Sequence, residues 1–233
     1  MKILSLDSSA LTSTVALVED GKAVCDLSVT SELNHSVTLL PLIDAALGSS
    51  GWTLDSVDAF AISQGPGSFT GVRIGVSLIK GLAFGRNKPC VGVSTLEALA
   101  YNLFPLECYI SPVMDARREQ VYNALFCCDG KMIKRLCGDR AVPLEELKKD
   151  LEKLGNDVFL VGDGSDMVFE NITLPNVKKA PVLLKYQNAA AVGLCAFDKL
   201  KRGEGIFTDK ELRATYLRLP QAERERLEKL EKE

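Results

Sequence analysis

Histidine is nearly missing from this chain of 233 residues: there is one, His35. A metal site built on several imidazoles, an HExxH helix or a paired-histidine mechanism needs more than that. A Ser/His/Asp triad survives the count, yet no GxSxG elbow accompanies it, and a capping or packing role near a helix start is the plain reading of His35. The seven cysteines, at 25, 90, 108, 127, 128, 137 and 195, include no CxxC pair. That pattern argues against a zinc site or disulfide framework and for reduced thiols in a cytosol. Long apolar runs are lacking too. The longest stretch free of Asp, Glu, Lys and Arg runs from Ala59 to Val72 and contains GPGSFTG, so no membrane span is expected. The opening MKILSLD reaches Asp7 too soon for a signal peptide, and a cytoplasmic location is expected. Nor is there an excess of positive charge. With 28 Lys+Arg against 31 Asp+Glu the net charge is −3, which gives no global field for nucleic acid, so unaided tight binding to RNA or DNA is not expected.

What is present is ordinary globular composition, 46% hydrophobic and 25% charged, enough to bury a real core. Ile3–Asp7, Thr14–Val18 and Ala23–Val29 read as three strands in a meander, the last two joined by Glu19-Asp20-Gly21, whose Asp-Gly signals a hairpin. Apolar residues at helical spacing predict a helix over Ser36–Leu47. A strand over Ala59–Ser63, a helix over Gly71–Gly85, a strand over Cys90–Val93 and a helix over Thr95–Leu103, opened by a Ser94/Glu97 capping box, complete a βββαβαβα order.

The pattern then restarts. Tyr109–Asp115 is again an apolar strand ending in Asp, followed by strands over Gln120–Cys127 and Met132–Leu136. Gly21-Lys22 stands fourteen residues past Asp7, and Gly130-Lys131 fifteen past Asp115, which suggests an internal duplication. A Pro143-led helix to Leu154, a strand over Val158–Val161 closed by GDGS, and a helix over Asn188–Lys201 follow. The segments are a first half over 1–104, a second over 105–219 and a charged tail over 220–233, with the boundary at the Phe-Pro-Leu break.

Four groups of residues could carry function. GPGSFTG between a strand and a helix offers backbone N–H groups to an anion, although it is neither a dinucleotide turn nor a P-loop, and glycine packing explains it nearly as well. Asp7-Ser8-Ser9 and Asp115, at equivalent strand tips, would face one another across a cleft. They could hold a magnesium-bound phosphate or cap nearby turns. Arg117, Arg118 and Glu119 beside that cleft are a ligand or partner contact, or turn surface. The helix from Gly71 carries two apolar stripes, Val72/Val76/Ile79/Ala83 and Ile74/Leu78/Leu82, with Arg73 and Lys80 its charges before Arg86. One stripe can pack on its own sheet. The other needs either the rest of this core or another chain, and Leu39, Leu40 and Ile43 could extend that surface. Glycines at 71, 75, 81 and 85 permit close helix approach.

LDSS, TVALVEDG, NHSVTLLPLI, QGPGSFTGVRIG, KGLAFGRNKP, VSTLEALA and MDARREQVY, in that order, resemble the TsaB (YeaZ) family over essentially the first 125 residues, with VGDGS and TYLR as looser later landmarks. The resemblance implies an α/β fold of the ASKHA type (actin, sugar kinase and Hsp70-like), two RNase H-like halves. It implies a part in making N6-threonylcarbamoyladenosine at position 37 of tRNAs that read ANN codons. On this view the chain is a non-catalytic scaffold. It dimerises with the catalytic subunit TsaD, the ATPase TsaE joins, tRNA is met only within the complex, and ATP and metal belong to the partners. The catalytic relative's metal ligands are two histidines one helical turn apart; here His35 is followed by Leu39. The first phosphate loop is DSS rather than Asp-x-Gly-x-Thr. The implied dimer surface lies on Ser36–Leu47 and Val72–Ala83, with Leu39, Leu40, Ile43, Val72, Arg73, Val76, Ile79, Lys80 and Ala83 as expected contacts. The same face could form a homodimer. The competing expectation is an ATP-dependent transferase or M22-type peptidase-like enzyme using an Asp7/Asp115 cleft.

Overall fold

A computed structural model describes residues 1–31 and 33–218. The first half comprises β1 (Lys2–Asp7), β2 (Thr12–Glu19), β3 (Lys22–Thr30), α1 (His35–Ser50), β4 (Ala59–Gly65), α2 (Phe69–Ala83), β5 (Cys90–Ser94) and α3 (Thr95–Tyr101). The β2–β3 hairpin closes as the Asp-Gly pair requires, with Asp20 at φ 50 and Gly21 at φ 76. Strand β1 is apolar on both faces, with Ile3, Leu4 and Leu6 all 0% exposed, because helices cover both sides of its sheet.

The second half comprises β6 (Cys108–Asp115), β7 (Gln120–Asn123), β8 (Phe126–Cys128), β9 (Ile133–Arg135), β10 (Arg140–Pro143), α4 (Leu144–Leu154), β11 (Val158–Val161), α5 (Ser165–Asn171), β12 (Val177–Lys179), α6 (Ala189–Arg202) and β13 (Ile206–Phe207). The strand expected over Gln120–Cys127 is split in two. Both pieces keep one register against β6, from Asp115 opposite Val121 to Cys108 opposite Cys128, and the break falls opposite Pro112, which has no N–H to give. Taken together, β7–β8 answer β2 and β9–β10 answer β3. The sheet order β10-β7-β6-β11-β12 therefore repeats β3-β2-β1-β4-β5, and the duplication is structural. The turn carrying Gly130, at φ 80, is the counterpart of the Gly21 turn.

Each half lends its last helix to the other. Leu96, Leu99, Ala100 and Leu103, on and just after α3, pack with Ile110, Met114, Phe126 and Val161 of the second half. Val192, Cys195 and Ala196 of α6 pack with Ile3, Ala59, Ala61 and Val91 of the first. Strand β13 then pairs with β5, so residues 105–219 are not all on the second sheet: α6 and β13 return to the first. The Ser94/Glu97 capping box is half formed. Ser94 Oγ accepts from Glu97 N at 3.2 Å, while the Glu97 carboxylate turns to Lys199 at 3.2 Å and Arg135 at 3.5 Å, an ionic tie between the halves. The charged tail lies outside the described residues.

Candidate functional site: an interhalf cleft and a two-helix face

Between the halves lies a cleft of about 730 Å³. One wall comes from the β1–β2 turn, the start of α1 and the GPGSFTG loop; the other carries Asp115, Arg117, Tyr122 and Asp163. Ser68 caps α2, its Oγ accepting from Gly71 N at 3.2 Å. Gly67 sits at φ 156 against the Ser9 backbone, and a side chain at Gly71 or Gly75 would collide with Ser8. The first two helical glycines thus let α2 approach its own strand tip, not a partner helix. Gly81 faces open space.

Asp7, Ser8 and Ser9 are floor rather than wall: they are 1%, 0% and 1% exposed. Asp7 Oδ1 accepts from Ser9 N at 2.8 Å and Ser9 Oγ at 2.6 Å, and Oδ2 accepts from Ser63 Oγ at 2.5 Å. Burial pushes the Asp7 carboxyl up from its ordinary value, against the pull of those hydrogen bonds. The Ser8 hydroxyl donates to Gly71 O at 2.9 Å. Asp115 is exposed on the rim, so the cleft brings Asp115 and Asp163 together and leaves Asp7 spent below. Asp163 was not singled out in the sequence, although it too stands at a strand tip; its side chain is exposed to the cleft, and partial desolvation there, with Asp115 adding to it, raises its carboxyl. A magnesium clamp by Asp7 and Asp115 has no free first carboxylate. The Arg117–Glu119 turn is strained. All three residues are left-handed, at φ 61, 56 and 57, and Asp115 Oδ1 steadies it by accepting from Arg117 N at 2.6 Å.

His35 is a packing residue. Its Nε2 lies 2.8 Å from the Ala10 carbonyl, so Nε2 carries the proton and Nδ1 accepts from Ser13 Oγ at 2.6 Å. Both ring nitrogens are used, and Leu39 is 0% exposed. The two-histidine metal pattern does not fit here, and among the described residues no group of three or more His, Cys, Asp or Glu is placed to hold a metal.

The expected partner contacts need correction. Leu39, Ile43, Val72, Val76, Ile79 and Ala83 belong to one internal core with Leu4, Leu6 and Phe60, none more than 6% exposed. They are the stripe that holds α1 and α2 on their own sheet, and no partner can reach them. Leu40 and Arg73 are on the surface, and Lys80 is half-buried. The outer side of the helical layer is formed instead by Leu33, Val37 and Leu40, 62%, 58% and 48% exposed, with half-buried Ile74, Leu78 and Leu82 from the other α2 stripe. The periodicity revealed two stripes but not which one faced in. What decides it is Gly71 and Gly75, which fix the face of α2 that meets Ser8.

Two α/β halves that repeat one sheet order and exchange their last helices define a protein of the ASKHA class. Residues 29–225 match the family described as TsaD: tRNA N6-adenosine threonylcarbamoyltransferase. The tRNA threonylcarbamoyladenosine biosynthesis protein TsaB of Bacillus subtilis (strain 168) is 32% identical over 167 residues, 72% of this chain and 73% of that one. TsaB of Escherichia coli (strain K12) is 33% identical over 167 residues, 70% of this chain and 72% of that one. The solved structure of YeaZ from Pseudomonas aeruginosa, 28% identical, superposes with a TM-score of 0.81 over 93% of this chain and 99% of that one. The chain belongs to the TsaB (YeaZ) family.

Proposed function

We propose that this chain is a non-catalytic subunit in the synthesis of N6-threonylcarbamoyladenosine at position 37 of tRNAs reading ANN codons. It docks a TsaD-type transferase through the outer face of α1 and α2, and TsaE joins the pair. The observation that carries the reading is its identity to TsaB relatives over most of their length. Two features of the chain support it: the exposed apolar side chains Leu33, Val37 and Leu40 before and on α1, together with half-buried Ile74 and Leu78 on α2, and an Asp7 carboxylate engaged by Ser9 and Ser63 rather than free for chemistry. ATP and metal are then supplied by the partners. Seven free thiols suit a reducing cytoplasm, and no described helix is long and apolar enough to cross a membrane.

The test is co-expression with the cognate transferase, followed by size exclusion and an assay of tRNA modification with each protein omitted in turn. A stable complex, with activity lost on either omission and none from this chain alone, is expected. ATP turnover or modification by this chain alone would overturn the reading. Light scattering over a concentration series reports whether a second copy takes the same face when the transferase is absent.

A further inference from the structure

Past β13 the chain forms a strap that runs back along α2. The Lys80 ammonium donates to the carbonyls of Lys210 at 3.4 Å and Leu212 at 3.3 Å. Thr215 N donates to the Gln64 carbonyl at 2.7 Å, and Arg73 Nε donates to the Tyr216 hydroxyl at 2.8 Å. The far end crosses the cleft, where Arg218 donates to the Ala116 carbonyl of the β6–β7 turn at 2.6 Å. Lys80, Lys210, Arg213, Arg73, Arg218 and Arg117 are thereby strung along one path; residues 210–218 alone reach up to about 28 Å when extended.

The partners of these cations set the path apart. Lys80, Arg73 and Arg218 donate to carbonyl and hydroxyl oxygens, and Arg213 donates to the carbonyls of Lys210 and Leu212 while also lying in the field of Glu211. Several cations elsewhere meet carboxylates: Arg86 with Asp55, Arg135 with Glu97 and Asp139, Arg140 with Asp150, Lys199 with Glu97. Among the described residues, the acidic groups along the strap and the cleft it crosses are Asp115, Glu119, Asp163, Asp209 and Glu211. Asp115 is held by Arg117 N and Glu211 by the Thr208 N–H and hydroxyl. At the middle of the path Phe69 and Tyr216 stack with centroids 4.2 Å apart, Arg73 lies 3.9 Å over the Phe69 ring, and Tyr216 stays 38% exposed. A stacking platform between cations suits a single-stranded nucleic acid, whose phosphates follow the charges while a base covers the ring.

We propose that this strap surface contacts the backbone of the tRNA, with an unpaired base on Tyr216. The inference rests on the proposed role in tRNA modification and adds a direct RNA contact by this chain. With a net charge of −3, such binding must come from a local patch and must weaken with salt.

Fluorescence anisotropy with an unmodified tRNA transcript, over a salt series, tests it on the chain alone and on its complex with the transferase. Combining Lys210→Ala, Arg213→Ala and Arg117→Ala, all exposed, is expected to flatten the slope of log affinity against log salt by about 2 and to weaken binding at low salt by about tenfold or more. Tyr216→Ala should weaken binding further, while Tyr216→Phe keeps the stack and most of the affinity. Unchanged affinity and slope in the triple variant would overturn the inference. So would loss of the transferase with RNA binding intact, since the surface would then be a protein interface. If tRNA modification proves independent of this chain while the direct binding responds as expected, the proposed function falls and the RNA contact stands.

Discussion

The two halves share one sheet order, yet their matching strand tips do opposite things. Asp7 ends β1 beneath the cleft floor, 1% exposed and ringed by Ser9 and Ser63. Asp115 ends β6 on the open rim and steadies a left-handed turn that carries two arginines. The helices that follow differ as well: α2 has 15 residues and a capped, glycine-lined entry, whereas α5 has 7. Duplication therefore supplies a scaffold, and local burial decides what each copy can do. The first half closes its tip and turns a helical layer outward; the second keeps its tip open.

The largest effect expected separates the two faces of that layer. Val76→Glu puts a charge where the side chain is 6% exposed and should cost more than about 3 kcal/mol, read as loss of cooperative unfolding by circular dichroism. Leu40→Glu, at 48% exposure, should shift stability by less than about 0.5 kcal/mol and still abolish co-purification with the transferase. A smaller contrast lies along the α2 glycines. Gly75→Ala collides with Ser8 and Ile62 and should destabilise by about 1–3 kcal/mol. Gly81→Ala meets nothing within 4 Å and should stabilise by about 0.5–1 kcal/mol, both read from denaturant midpoints.

The strand tips give the next test. Because burial raises the folded-state Asp7 carboxyl above its ordinary 3.8, the unfolded chain releases that proton first as pH rises. Stability then falls from about pH 4 until the folded-state value is passed. Asp7→Asn should therefore gain melting temperature relative to the parent between acid and neutral pH, with no difference below the unfolded value. Ser68→Ala removes the α2 cap and should cost about 1 kcal/mol, measurable by the same unfolding series.

Much of this was legible in the sequence. The Asp20-Gly21 and Asp129-Gly130 turns and the apolar runs ending in Asp7 and Asp115 carried the duplication. Short elements were not legible: β10, β12, β13 and α5, of 4, 3, 2 and 7 residues, are too brief for a period to declare itself and owe their state to neighbouring strands and helices. The exchange of α3 and α6 was hidden for a related reason, since periodicity shows that a helix is amphipathic but not whose sheet it covers. At the site, GPGSFTG was legible as a helix entry. The burial of Asp7 depended on Ser63, 56 residues away, and could be seen only once β4 lay beside β1.

The central claim is that this chain acts by presenting the outer face of α1 and α2 to a transferase. The most direct measurement is reconstituted tRNA threonylcarbamoylation with the Leu40→Glu, Val37→Asp double variant alongside the parent chain, its fold checked by circular dichroism. The account predicts a folded variant that no longer co-elutes with the transferase and restores no activity. A folded variant that restores parental activity would contradict it.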